Sequence, residues 1–291
     1  MSQERLKWVY LGILSLVWGS SFILMKKALT GVSPMQLGAL RMIITALFLL
    51  LIGFKRLHKI QRKQWRYIAY TAFLGTFLPG FLFAYAVQVI DSAIVAILNS
   101  FTPFNTLVFG ALFFGFAFKK QQFIGIFIGL IGTVVLILEG ADLNPNQNYW
   151  YAFLIIIGSV GYALNANMIK KYLSDLDALA ITTGNFLLLL VPAIIVLVFT
   201  DFFVTFDFND EVLIQSLGYL AVLSIVGTGI ANILFFKLVQ MSSPVFAASV
   251  TYLIPVVAFG WGLLDNEMLT PVQFLGAFII LFGVYLSAKK E

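Results

Sequence analysis

Long apolar runs separated by short polar stretches dominate this chain of 291 residues. Ten runs stand out, near 7–27, 35–54, 66–89, 92–116, 122–139, 149–170, 177–200, 213–239, 244–264 and 271–288. At 1.5 Å per residue, roughly 20 apolar residues carry a helix across the hydrocarbon of a bilayer. The pattern therefore predicts an all-α integral membrane protein of ten transmembrane helices. The runs nearly exhaust the chain and leave no room for a soluble domain. The first run is too long for the core of a signal peptide and lacks a small-residue cleavage site, so it is expected to be a retained span.

Polar residues at the run boundaries mark helix starts. Ser33-Pro34-Met35-Gln36 places a serine at the N-cap, proline at the first helical position and glutamine at N3, which together make a capping box. Thr270-Pro271-Val272-Gln273 repeats that pattern before the tenth run, and Ser243-Pro244 opens the ninth run without the glutamine. Asp91 or Ser92 is the expected cap of the fourth.

The runs also repeat as a set. Lys26-Lys27 is echoed by Lys170-Lys171, 144 positions on. Gly75-Thr76, Gln88 and Pro103 are matched by Gly227-Thr228, Gln240 and Pro255, each 152 positions on. Gln122, Gly125 and Gly132 match Gln273, Gly276 and Gly283 at a spacing of 151. The chain thus divides into two five-helix repeats, 1–143 and 144–291. An odd number of spans per repeat makes the second copy enter the membrane from the opposite side. Inverted repeats of this kind characterise alternating-access transporters.

Composition and charge sharpen this picture. Hydrophobic residues make up 61% of the chain and charged ones 11%, against about 45–50% and about 25% in soluble domains. With no cysteine there is no disulfide, thiolate metal ligand or thiol nucleophile. If the N-terminus with Arg5 and Lys7 defines one side, that side collects Lys55, Arg56, Lys59, Arg62, Lys63, Arg66, Lys119, Lys120, Lys170, Lys171, Lys237, Lys289 and Lys290. Fifteen of the 18 basic residues then share it, leaving Lys26, Lys27 and Arg41. The opposite side holds Asp91, Glu139, Asp142, Asp201, Asp207, Asp210, Glu211, Asp265 and Glu267. Positive loops stay cytoplasmic, which predicts a multi-pass plasma-membrane protein with both termini in the cytoplasm. The pI near 9.3 follows from these loops and does not point to nucleic acid. The basic loop 55–66, which carries the single His58, is expected to be a solvated orienting loop.

Polar and helix-breaking residues gather half-way along several runs. Trp18-Gly19-Ser20-Ser21 lies in the first, with Tyr162-Ala163-Leu164-Asn165 and Asn167 at the matching depth of the sixth. The third is expected to break at Pro79-Gly80 before Tyr85 and Gln88, and the eighth carries Gly227, Thr228, Gly229 and Asn232. The fourth offers Asn99, Thr102, Pro103, Asn105 and Thr106; the ninth offers Ser249, Thr251, Tyr252 and Pro255. Small and amide residues also glue helices together, which is the packing account of any one of them. As a set, Trp18, Tyr85, Asn99, Asn165, Asn232 and Tyr252 are expected to surround a cavity, since interrupted helices in both halves point to a transport site. Arg41, about six residues inside the second run, either reaches the interface and caps carbonyls or faces the pathway and attracts a carboxylate. Lys237 lies close enough to its helix end to snorkel. No run carries an Asp, Glu or His at its centre. A carboxylate proton relay is therefore poorly supported, and the acid/base pair, nucleophile or metal set of an enzyme is missing.

Over essentially its full length the chain resembles the EamA family of the drug/metabolite transporter superfamily. The resemblance rests on Trp18-Gly19-Ser20-Ser21-Phe22, Lys26-Lys27-Ala28-Leu29, Arg41, Pro103 and Pro255, and on Glu267-Met268-Leu269-Thr270-Pro271-Val272-Gln273-Phe274-Leu275-Gly276 with Gly283 beyond. Phe116 stands where the first repeat should carry the counterpart of Glu267, and Tyr162-Ala163 replaces a tryptophan-glycine pair. The resemblance implies a secondary carrier of small organic solutes, of metabolite or amino-acid type and often an exporter, that uses no cofactor. It places Trp18, Ser21, Tyr85, Asn99, Asn165, Asn232 and Tyr252 on the wall of a central substrate cavity. A passive channel or a non-transporting membrane scaffold is the alternative.

Overall fold

The computed structural model describes residues 2–89, 95, 98–139, 148–264 and 270–288. Asp91, Ser92, Asp142, Asp265, Glu267, Lys289 and Lys290, to which the sequence assigns caps or charge positions, lie outside the described residues. The protein is all-helical. We number the main helices α1 (Gln3–Ala28), α2 (Pro34–Gly53), α3 (Trp65–Val89), α4 (Thr102–Phe114) and α5 (Lys120–Glu139) in the first half. The second half contributes α6 (Ala152–Tyr172), α7 (Ala178–Val198), α8 (Glu211–Met241), α9 (Pro244–Ala248 and Val250–Leu264 together) and α10 (Pro271–Ala288). Among the described residues six helices, α1–α3 and α6–α8, are long and apolar enough to cross a membrane, and the other four contain shorter apolar stretches.

Local chemistry sets the ends. Ser33 closes the expected capping box, with its backbone N–H donating to Gln36 Oε1 at 2.8 Å and its Oγ accepting from Gln36 N at 3.3 Å. Ser243 Oγ accepts from Phe246 N at 3.1 Å at the start of α9. At α10 the Gln273 side chain lies outside the described residues. α4 stops at Gly115, whose left-handed φ of 70° a side chain would strain. The fourth and ninth runs are not continuous. Turns at Ser100–Phe101 and Ser249 interrupt them; Pro103 follows the first directly, in the opening turn of α4 where its missing N–H has no partner to lose, whereas Pro255 lies inside the helix that resumes at Val250.

Helix pairing is symmetric under exchange of the halves. α2 pairs with α7 and α5 with α10. α1 packs on α8 and α9, while α6 packs on α3 and α4; α8 meets α2 as α3 meets α7. Two apolar clusters occupy opposite ends of the bundle. One holds Leu11, Leu14, Ile169, Leu173 and Phe246; the other holds Met25, Val32, Leu37, Leu213 and Leu220. The bundle's outside is apolar as well, with Leu51 85% and Phe199 87% exposed. Such a surface is stable when its solvent is hydrocarbon.

In that solvent helices gain little from burying apolar surface, so they associate through close backbone contact at small residues. The α5–α10 pair illustrates this. A Cβ on Gly125 would stand 2.6 Å from the Gly283 carbonyl oxygen, and one on Gly132 would stand 2.8 Å from Ile280 N. A side chain at Gly283 would meet the backbone of Gly129. We expect Gly283→Leu to lower the thermal midpoint of the purified protein by roughly 5 °C or more, as a differential scanning fluorimetry trace in detergent would show.

Candidate substrate cavity

Two π-helical turns lie between the halves. They span Phe73–Phe77 in α3 and Ile225–Ile230 in α8, and each contains one copy of the repeated Gly-Thr pair. A π turn inserts one residue into the helical register and widens it locally. In α3 the irregularity lies one turn before the expected break, and Pro79-Gly80 continue as helix. The reason is that Pro79 cannot donate to the turn before it, so the register shifts among the residues leading in. In α8, Thr228 Oγ1 donates to the Leu223 carbonyl five residues back at 3.1 Å, which matches the wider turn.

Around these turns lies a cavity of about 150 Å³, lined from both halves. Trp18, Ser21, Asn99, Asn165 and Asn232 line it, as does Tyr162, the repeat counterpart of Trp18. The Trp18 indole N–H donates to the Gly227 carbonyl at 3.0 Å, tying α1 to the π turn of α8. Ser21 packs over Gly227, and its counterpart Asn165 packs over Gly75, so the two halves make equivalent contacts with unequal side chains. The Ser21 hydroxyl donates to Val17 O within its own helix at 2.7 Å. Asn165 and Asn232 have no hydrogen bond to any described residue, and Asn165 Oδ1 is buried without a partner. Asn167, two residues and about 200° around α6 from Asn165, does not line the cavity; its Nδ2 donates to Thr106 O at 2.9 Å and Ala163 O at 3.0 Å, and its Oδ1 is buried without a partner.

Tyr85 and Tyr252 lie elsewhere. Phe83 lines the cavity, but Tyr85 is two residues further, about 200° around the helix, and is 38% exposed on the outside. Its counterpart Lys237 is exposed too. Tyr252 sits about 100° from Thr251, which does line the cavity. Tyr252 is 1% exposed; its ring packs over Gly129, and its hydroxyl donates to Ile126 O at 3.0 Å. It locks α9 to α5. A midpoint position along the helix said nothing about which way either ring turns.

Arg41 faces the cavity and does not reach out to the helix end. It is the single charged residue among the described lining residues. Its Nε donates to Thr228 Oγ1 at 2.6 Å, across the interface between the halves. No acid pairs with it among the described residues, and its two terminal nitrogens make no hydrogen bond there. A guanidinium in this setting offers a planar pair of donors to an incoming oxyanion. Phe83, Phe186 and Phe235 supply apolar wall around it, and Thr102 and Thr251 add hydroxyls. The phenylalanines escaped the sequence reading because thirty residues of that type are spread along the chain and none is distinguishable by composition.

An all-helical membrane protein with two equivalent halves around one mixed polar and aromatic cavity has the build of a solute carrier. The chain belongs to the EamA-like transporter family, whose sequence profile matches residues 6–138 and 149–289. It is 29% identical over 282 residues to the uncharacterized inner membrane transporter YedA of Escherichia coli K12, covering 94% of this chain and 87% of that one. It is 27% identical to a probable amino-acid metabolite efflux pump of the same organism, with coverages of 95% and 94%. A Chlamydia muridarum S-adenosylmethionine/S-adenosylhomocysteine transporter is 24% identical, with coverages of 94% and 89%. A solved crystal structure superposes with a TM-score of 0.73 at 16% identity over 96% of this chain and 95% of the other, which establishes the shared fold.

Because Tyr252 is a packing residue, Tyr252→Phe should cost about 1 kcal/mol of stability through the loss of one buried hydrogen bond. The expected readout is a thermal midpoint lowered by a few degrees with no change in the KM of any solute the protein carries.

Proposed function

We propose that the protein is a secondary carrier for small organic solutes that bear a carboxylate, amino-acid-type metabolites above all, and that it works by alternating access. In this reading ten helices span the cytoplasmic membrane as two oppositely inserted repeats, the first ending and the second beginning near 143–144, with both termini in the cytoplasm. The positive-inside distribution of basic residues and the exchange-symmetric helix pairing support that arrangement. One relative, a probable amino-acid metabolite efflux pump, supports the substrate class and export as the direction.

One observation carries the substrate assignment. Among the described lining residues Arg41 is the one charge, with both terminal nitrogens unspent, while Asn165 and Asn232 nearby leave their amides unspent as well. Groups left unsatisfied at bilayer depth are costly, so a site that keeps them is built for a ligand that satisfies them. A carboxylate docks on Arg41, amides take the solute's other polar groups, and the aromatic wall of Trp18, Tyr162 and Phe235 takes its apolar part.

Two measurements test this. In a thermal-shift screen, saturating amino acids and related carboxylates should raise the midpoint by mass action, up to about 2.7 kcal/mol of stabilisation at a hundredfold excess over Kd, while decarboxylated analogues should not. Arg41→Gln should weaken that response about 10- to 100-fold in apparent affinity, with Arg41→Lys intermediate, since an ammonium lacks the two-pronged geometry. Equal binding of acids and their decarboxylated analogues by the parent protein would rule out the carboxylate assignment. Saturable, counterflow-competent uptake into vesicles distinguishes a carrier from a channel, which would show ion-like conductance in planar bilayers.

A further inference from the structure

The two ends of the bundle differ in one set of hydrogen bonds, although the residues that make them are duplicated. At the end bearing Lys170, Gln240 near the end of α8 donates through Nε2 to the carbonyls of Leu173 and Leu176, at 3.0 and 2.6 Å. Leu173 is the C-cap of α6, and Leu176 lies in the turn to α7. Lys170 in the last turn of α6 returns the contact, its Nζ donating to the carbonyls of Gln240 and Ser242 at 2.8 and 2.6 Å. Each helix end thus supplies the donors for the other's orphaned carbonyls, and the cation is favoured there by the helix dipoles. Lys171 adds a bond from Nζ to Phe114 O at the end of α4, at 2.7 Å.

The repeat carries the same parts to the opposite end. Lys26 matches Lys170 and Gln88 matches Gln240. Leu29, the C-cap of α1, matches Leu173, and the N-cap Ser33 of α2 matches Asp177 of α7 at the same spacing of 144. Gln88 lies in the last described turn of α3, as Gln240 lies in the last turn of α8. Yet Lys26 and Gln88 are exposed and make no hydrogen bond to described residues. On α1 and α2 the lining is unequal too: Met25 and Gly38 line the cavity, whereas their counterparts Ile169 and Thr182 are fully buried and do not. One end is latched and the other is not.

We propose that Lys170–Gln240 and Lys26–Gln88 are alternative latches, of which only one is made at a time, and that the exchange between them is the step that moves the cavity from one face to the other. This rests on the alternating-access reading above. In the other state Gln88 donates to the carbonyls of Leu29 and Val32, and Lys26 caps the Gln88 carbonyl, while Gln240 and Lys170 release their partners. These are positioning residues, because none of the four lines the cavity. Their duplication keeps the two states close in free energy, since what one end loses the other gains.

The chain has no cysteine, so one introduced thiol reports access cleanly. A Ser21→Cys reporter in sealed vesicles is labelled by a membrane-impermeant maleimide added from the Lys170 side. A separate Lys63→Cys reporter, in the loop beside the Arg56–Asp177 ion pair at that end, fixes the sidedness. Gln240→Ala and Lys170→Met should each raise the labelling rate from the Lys170 side about tenfold, the shift expected for losing a pair of hydrogen bonds from one state. Gln88→Ala should lower it by a similar factor. Gln88 is unbonded in this structure, so that variant tests the idea even if removing the made latch impairs folding. Labelling from both sides at rates unmoved by these substitutions, or shifts of the same sign at both ends, would overturn the latch while leaving alternating access standing. Labelling from only one side in every variant would overturn both.

Discussion

Inside a bilayer no water is available to satisfy a backbone N–H, a carbonyl or a polar side chain, and each such group must find its partner within the protein. The rest of this structure follows from that constraint. It makes the described spans helical, since a helix satisfies its own backbone. It turns serine and threonine hydroxyls back on their own helices, as Ser21 does on Val17 and Thr45 on Arg41. Several of the polar groups that remain unspent, Asn165 and Asn232 and the ends of Arg41, meet at the cavity instead of facing lipid. The site is where the protein tolerates what the solvent elsewhere forbids.

The same constraint shapes the irregular backbone. Each π turn disturbs the regular ladder at depth, and each is covered by the other half. Asn165 of α6 lies over Gly75 of α3, and Ser21 of α1 lies over Gly227 of α8. Trp18 satisfies the Gly227 carbonyl, and Thr228 joins Arg41 to the Leu223 carbonyl. The wall of the cavity and the interface between the halves are therefore one set of contacts, so a change in how the halves meet reshapes the site.

Near-symmetry with local inequality is the recurring theme. The close α5–α10 crossing, set by glycines spaced alike in both halves, gives the bundle a stable side. Against it, Ser21 faces Asn165 as its counterpart, Trp18 faces Tyr162, and Arg41 faces Asn185, whose amide contacts Thr71 Oγ1 at 3.0 Å. As the one charge among the described lining residues, Arg41 makes the cavity chemically one-sided, although the scaffold around it is duplicated.

Much of the architecture was legible along the chain. The apolar runs, the capping boxes and the repeat spacings are local properties, and the helices and the Ser33 box appear where those properties put them, whereas the irregular turn of α3 falls at Phe73–Phe77 and not at Pro79-Gly80. Trp18, Ser21, Asn99, Asn165 and Asn232 do lie on the cavity wall, because polar groups at mid-helix have few other places to go. What the chain left open was rotation about each helix axis. A uniformly apolar run has no polar face to say which side meets which neighbour, so Tyr85 and Tyr252 could be placed by depth but not by direction. One step of about 100° separates Thr251 in the cavity from Tyr252 against α5. Arg41 was undecided for the same reason, and the covering partner, Thr228, lies 187 residues away. Helix identity, ends and depth belong to the sequence; facing, the pairing of halves and the latched end were settled only when the helices packed.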